Sequence, residues 1–255
     1  MTPPHLSLLM VNYNRASYIE TAINSVLTQT YPDWELIIVD DGSTDDSVAK
    51  IKPFLRDARI RFFANAENSG IVYSRLAAIA KAQAEIIGTI DSDDFLEPEA
   101  VEIMLQAHTI HSNAFIYSQM LVCDEKLNPL RPGTNAAILP GETNLIKNCV
   151  SHFLTFRKDA YLKTTGYDSL APAEDKDIIY KLEEVSDPIF IDQILYRYRL
   201  NPSSESNYGY KKLRGRFRYF LAKYKAYRRR LKNNSPKKIK FLDLLPEKMR
   251  PARHA

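Results

Sequence analysis

Three acidic clusters in this 255-residue chain stand directly after short apolar runs or at the start of a helical pattern. Asp40-Asp41 follows E-L-I-I-V, Asp91-Ser92-Asp93 follows I-I-G-T-I, and Glu174-Asp175 opens an amphipathic segment. Asp91 and Asp93 are two positions apart, so an extended backbone turns both carboxylates to one side. Two anions that close repel each other, and a divalent cation between them removes the repulsion. Mg²⁺ or Mn²⁺ suits such oxygen ligands and commonly takes one or two carboxylates together with substrate phosphates. A solvated acidic turn ahead of a helix is the plain alternative for an isolated D-x-D. Its place at the end of a buried run, level with two other polar run ends, favours the metal.

Asp40-Asp41-Gly42-Ser43 is ordinary turn and helix-capping chemistry. The same carboxylates can also accept the imide N–H of a uracil. Tyr13, just past the first apolar run, offers a ring for base stacking, although aromatic side chains more often belong to a core. Arg75 lies on a helix beginning beside these clusters, where it is either a surface charge or a donor to base or phosphate. Glu174 and Asp175 fit the first turn of a helix through its dipole, and spacing alone favours that plain reading over a catalytic one.

The elements that must carry these residues alternate. Residues 6–11, 35–39, 60–63 and 86–90 read as short buried strands, and helical patterns follow at 18–30, from Ser43 or Thr44 to 55, at 68–82 and at 98–108. Four strand–helix pairs predict an α/β fold: a mostly parallel sheet covered on both faces. In such sheets ligands bind beyond the carboxyl ends of the strands, where Asn12-Tyr13-Asn14, Asp40-Asp41 and Asp91–Asp94 all fall. The second half is less regular, with strands expected at 114–122, 152–156 and 188–198, a loop at 127–141 and a helix at 174–184.

S-L-L-M-V-N-Y-N-R-A, W-E-L-I-I-V-D-D-G-S-T-D-D-S, E-N-S-G-I-V-Y-S-R-L-A-A, I-D-S-D-D-F-L-E-P and G-Y-D-S-L-A-P-A-E-D-K-D-I occur in that order. Together they resemble a family-2 inverting glycosyltransferase with the GT-A fold, over about residues 5–206. The resemblance implies a sugar transferred from a nucleotide-diphosphate donor, a UDP-sugar, to a hydroxyl of a glycan, lipid-linked or polysaccharide acceptor. It implies that Asp40 and Asp41 hold the base with Tyr13 and Arg75. Asp91, Ser92 and Asp93 would hold the diphosphate and a Mn²⁺ or Mg²⁺ ion, with Asp91 and Asp93 as metal ligands. Asp175 would be the catalytic base, supported by Glu174. Asn201 stands where the family frequently has His, which implies a donor or metal dependence of its own.

Residues 208–255 hold 17 Lys and Arg against 2 Asp and Glu, while residues 1–207 hold 18 against 29. An acidic body, residues 1–207 with a nucleotide-sugar half to 112 and an acceptor half beyond, therefore carries a basic tail with a separate task. Leu213, Phe217, Phe220, Tyr224, Tyr227 and Leu231 form one apolar-aromatic stripe at helical spacing. Such a helix either packs on the domain with a solvated basic back or lies in an anionic membrane interface; nucleic acid is the least favoured partner. No apolar run approaches the roughly 18–20 residues of a spanning helix, and no signal segment is visible, so the expectation is a cytoplasmic protein, peripheral at most to the membrane's inner face. Two competing classes are a sugar-phosphate nucleotidyltransferase and a non-enzymatic binder working through the tail. The first ordinarily has a glycine-rich loop after its first strand, where this chain has Asn12-Tyr13-Asn14-Arg15.

Overall fold

In the computed structural model, which describes residues 3–170, 173–201, 209–233 and Leu244, a nine-stranded mixed sheet runs through the domain. Its first half is the expected alternation. Strands β1 (Leu6–Asn12), β2 (Trp34–Asp40), β3 (Ile60–Ala64) and β4 (Ile86–Thr89) lie parallel in the order β3-β2-β1-β4. Helices α1 (Ile19–Leu27), α2 (Ser47–Ile51), α3 (Ile71–Lys81) and α4 (Ala100–Ile110) alternate with them. The period-2 side-chain alternation of a strand explains the two cores. Leu6, Leu8 and Met10 of β1 with Leu36 and Ile38 of β2 face α1 and α4, whereas Leu9, Ile37 and Val39 face α3.

The second half departs from this scheme. Strand β5 (Phe95–Leu96) is followed, after α4, by β6 (Ala114–Cys123), β7 (Pro129–Pro132) and β8 (Leu154–Arg157), with helix α5 (Asn144–Lys147) between the last two. Helices α6 (Lys158–Leu162) and α7 (Glu174–Leu182), strand β9 (Asp187–Arg199) and helix α8 (Gly209–Lys232) complete the order. β8 inserts antiparallel between β4 and β6, and β6 runs parallel to β9. The expected loop 127–141 contains β7, a hairpin partner of β6, and the expected helix from Ser43 or Thr44 is α2 followed by a 3₁₀ turn over Lys52–Arg56. Ser43 caps no helix, because its hydroxyl is bound to Asp40 and Asn14.

α8 packs on α7, and of the predicted stripe Tyr227 joins the contact while the ends of the stripe stay outside it. Ala222 and Ala226 are buried with Leu145, Leu170, Tyr180 and Leu244, while Phe217 is 64% and Leu231 55% exposed. The inward face carries cations as well: Arg230 donates to Glu183 at 2.7 Å and to the Thr143 hydroxyl at 2.6 Å, Arg229 pairs with Glu184 at 3.1 Å, and Lys225 with Asp168 at 3.1 Å. The basic residues thus do not all form a solvated back. α7 buries Asp177 completely and the turn after it buries Glu183, and such anions require nearby positive charge. Residues 202–207 of the expected acceptor half, residues 208, 234–243 and 245–255 of the expected tail, and the side chain of Leu213 lie outside the described residues.

Candidate active site

The carboxyl ends of β1 and β2 are locked by their own side chains. Asp40 accepts hydrogen bonds from the Asn12 amide at 2.7 Å and from the Ser43 backbone N–H and hydroxyl at 2.8 and 2.6 Å. Asp41 accepts four, from the Asn65 amide, the Ser74 hydroxyl and the backbone N–H groups of Ser69 and Gly70, all at 2.8–2.9 Å. Both aspartates are buried. Their immediate work is architectural: Asp41 ties the 65–70 loop and the start of α3 to the tip of β2. Gly42 permits that closure, since a Cβ there would lie 2.5 Å from the Glu67 carbonyl carbon and its φ is +73°. Asp41 Oδ2 accepts only the Gly70 N–H among the described residues, leaving one acceptor direction. Tyr13 stands next to this network, 41% exposed.

β4 ends directly in the D-x-D. Asp91 is 34% exposed and pairs with the Arg75 guanidinium at 3.5 Å and with His152 Nε2 at 3.4 Å. Asp93 Oδ2 receives Arg15 Nε at 3.0 Å and the Asn201 amide at 2.7 Å. Burial, then the Asp91 charge, raises the Asp93 carboxyl above its ordinary value. Ser92, between them, is buried. Asp94 points inward: it accepts the Tyr196 hydroxyl at 2.7 Å and the Arg199 backbone N–H at 2.7 Å, and burial next to Asp93 and Asp91 holds it well above the carboxylate range.

The third cluster arrives from α7. Glu174 is buried, one of its oxygens has no hydrogen-bond partner among the described residues, and the other is 3.7 Å from Arg75. Burial pushes its carboxyl up to about 7, against the pull of Arg75, with Asp175 and Asp91 adding to the rise. Asp175 is more open and lines a small cavity with Arg75, His152 and Tyr167. Arg75 is the joint. Burial alone would lower its pKa, but Tyr167, Glu174, Asp91 and Asp175 around it outweigh that and raise it further, so it is a permanent cation. One guanidinium therefore touches both the D-x-D on β4 and the Glu174-Asp175 pair on α7.

Asp91 and Asp93 suit a divalent cation. They supply hard oxygen donors, Asp93 Oδ1 accepts no hydrogen bond among the described residues, and a nearby cation would offset the burial that raises the Asp93 carboxyl. Among those residues no three His, Cys, Asp or Glu side chains converge on one point, so phosphate or water would complete the coordination. All the sequence-predicted site residues lie at this end of the sheet or beside it. Sequence reasoning gave no role to Arg15, Asp94, His152 or Tyr196. His152 stacks on Tyr196 with ring centroids 5.2 Å apart and reaches Asp91 from just before β8, a strand expected from the sequence but without a signal for its antiparallel pairing. Asn201, which stands where the family frequently has His, binds Asp93 directly.

The profile of Glycosyl transferase family 2 matches residues 7–170. A chondroitin synthase of Escherichia coli is 34% identical over 206 residues, which is 80% of this chain and 30% of that protein; the chain thus spans less than a third of that relative's length. An Escherichia coli protein named UDP-Glc:alpha-D-GlcNAc-diphosphoundecaprenol beta-1,3-glucosyltransferase WfgD is 29% identical, with 82% of each chain covered. The structure of Staphylococcus aureus TarS 1-349 in complex with UDP-GlcNAc superimposes with a TM-score of 0.78 at 18% identity, covering 94% of this chain and 70% of that one, which establishes the shared fold.

Proposed function

This chain belongs to glycosyl transferase family 2, and we propose that it is an inverting glycosyltransferase moving a sugar from a UDP-sugar to the hydroxyl of a glycan, polysaccharide or lipid-linked acceptor. The observation that carries this reading is Arg75, within 3.5 Å of Asp91 and 3.7 Å of Glu174. It ties a diphosphate-type carboxylate pair to a potential base more than 80 residues later in the chain. The named substrates of WfgD, a UDP-sugar and a diphosphate-linked lipid, support the donor and acceptor classes.

Each residue then has a task. Tyr13 stacks on the base, and the open acceptor direction of Asp41 receives its imide N–H; Asp40 keeps that loop in place. Asp91 and Asp93, with Ser92 between them, hold the diphosphate end, and Arg75 adds a fixed positive charge there. A Mn²⁺ or Mg²⁺ ion bound by Asp91 and Asp93 would neutralise charge on the leaving diphosphate. Asp175 takes the proton from the acceptor hydroxyl as its oxygen attacks the anomeric carbon on the face opposite the leaving group. One displacement inverts the configuration and needs no covalent enzyme intermediate. Glu174, buried behind Asp175, orients it through Arg75.

A screen of nucleotide-sugar hydrolysis identifies the donor, and calorimetry of UDP with Mn²⁺ tests the site. Asp93→Ala is expected to weaken binding at least tenfold, about 1.4 kcal/mol; equal affinity removes Asp93 as a ligand. Peripheral contact with anionic membrane belongs to the same reading. No described helix is long and apolar enough to cross a bilayer. The outer face of α8 nonetheless exposes Phe217 and Leu231 beside Arg216, Arg228 and Lys232. Flotation with anionic and neutral vesicles, using wild type and a Phe217→Ser/Leu231→Ser double variant, checks it; equal flotation of both proteins removes this face.

A further inference from the structure

The chemistry above leaves unused a contact at the D-x-D, the Arg15 guanidinium on Asp93. Arg15 sits in the turn between β1 and α1, and its backbone is pinned. Its N–H donates to the Ser47 hydroxyl at 3.0 Å and the next N–H, of Ala16, to Asp45 at 2.9 Å. From that fixed root the side chain crosses to Asp93, donating from Nε to Oδ2 at 3.0 Å. The Asn201 amide holds the same oxygen at 2.7 Å. Oδ1 accepts nothing among the described residues and is the oxygen left to meet a cation. The Arg15 and Asp93 side chains are 19% and 17% exposed, so the pair borders solvent rather than being sealed in the core.

A guanidinium already neutralises Asp93, so a divalent cation arriving at Oδ1 meets a like charge across one carboxylate. A diphosphate reverses that situation. Its charge attracts both cations, and the planar fork of Arg matches phosphate oxygens. Resting on the proposed donor chemistry, we propose that Arg15 couples the two ligands. It opposes the cation while the donor site is empty and turns from Asp93 to the diphosphate when donor and cation bind together. Linkage makes the effect mutual: the nucleotide raises cation affinity by the same factor as the cation raises that of the nucleotide.

The test is the affinity of the full chain for Mn²⁺, read from the electron paramagnetic resonance signal of free ion. It is measured alone, with UDP, and with inorganic pyrophosphate, which carries the diphosphate without the base. Arg15→Gln and Arg15→Met are the neutral variants, and Arg15→Lys keeps the charge. Thermal melting shows which variants are folded, and either neutral variant suffices. The neutral variants are expected to bind Mn²⁺ alone about fivefold or more tightly than wild type, and to lose most of the enhancement given by UDP or pyrophosphate, on the scale usual for coupled sites. Arg15→Lys is expected to bind Mn²⁺ alone as wild type does. Unchanged or weaker Mn²⁺ binding by the neutral variants overturns the proposal, as does an enhancement as large as in wild type. Enhancement of the wild type by pyrophosphate but not by UDP would instead remove uridine from the donor reading and leave the role of Arg15 standing.

Discussion

The ends of β1 and β2 and the start of α7 both carry carboxylates, yet they are held in opposite ways. Asp40 and Asp41 are held by neighbours no more than about thirty positions away in sequence, through three and four hydrogen bonds of 2.6–2.9 Å. Glu174 and Asp175 have no such shell. Among the described residues their ion-pair neighbour is the Arg75 guanidinium, 3.7 Å from Glu174. A carboxylate satisfied by several donors is a stable anion and a poor proton acceptor, whereas an under-bonded one keeps its lone pairs for chemistry. The more conspicuous acidic motif is thus the more fully hydrogen-bonded of the two, and the proposed base belongs to the less conspicuous one.

This contrast breaks most visibly at the clamp between α7 and α8. Arg230 and Glu183 form a buried pair at 2.7 Å, and removing one partner of such a pair costs about 3–5 kcal/mol. Arg230→Ala is expected to lower stability by that amount in denaturant unfolding, and truncation before α8 to abolish a cooperative transition. That outcome would make the basic helix a part of the fold rather than a separable tail. A truncated protein that melts like the full chain would show that α7 holds itself.

Asp175→Asn comes next. It keeps the size of the side chain but cannot take a proton, so turnover is expected to fall on the order of 10²–10⁴-fold with UDP affinity nearly intact. Glu174→Gln should cost less. Normal turnover in Asp175→Asn with loss in Glu174→Gln or Asp177→Asn would move the base to another carboxylate.

Asp41→Ala strips four donors of their acceptor, and buried unsatisfied groups cost about 1–3 kcal/mol each before relaxation. A loss of about 2–4 kcal/mol is expected, visible as a lower denaturant midpoint. Asp91→Asn, at a partly exposed ion pair, should change stability by no more than about 1 kcal/mol while impairing turnover. Equal stability losses in the two variants would erase the distinction between the regions.

The last effect is on pH dependence. Glu174 titrates at about 7 in the fold against 4.5 as its ordinary value. Between those values the folded chain holds a proton that the unfolded chain has released. The stabilisation this represents is complete below about 4.5 and is lost as pH rises through about 7, worth about 1.4 kcal/mol per unit of displacement at most. Glu174→Gln has no such proton, so the melting temperature of wild type relative to that variant should decline from pH 5 to pH 8. A constant difference over that range would place Glu174 in a less desolvated site.

Local patterns made the nucleotide-facing half legible. The apolar runs ending at Val11, Val39 and Ile90 are buried strands because continuous apolar segments of that length bury on both faces of a parallel sheet. Their polar ends, from Asn12 to Arg15, Asp40-Asp41 and Asp91–Asp94, line up from the order of residues alone, because strands laid parallel present their carboxyl ends together. Tertiary structure decided which of those residues are consumed. Nothing in the sequence distinguishes Asp41, held by Asn65, Ser69, Gly70 and Ser74, from Asp91, whose carboxylate pairs with Arg75 and His152 among the described residues. The antiparallel insertion of β8, which brings His152 to Asp91, and the meeting of Arg75 with Glu174 depend on pairings across loops that leave no periodic trace. The same holds for α8. Its spacing showed a helix with an aromatic stripe, but the face that packs was set by the buried anions of α7 and the turn after it, which a basic helix satisfies with Arg229 and Arg230 rather than with Phe217 and Leu231. A strand or a helix follows from side chains a few positions apart; the partner of a buried charge follows only from the whole chain folded around it.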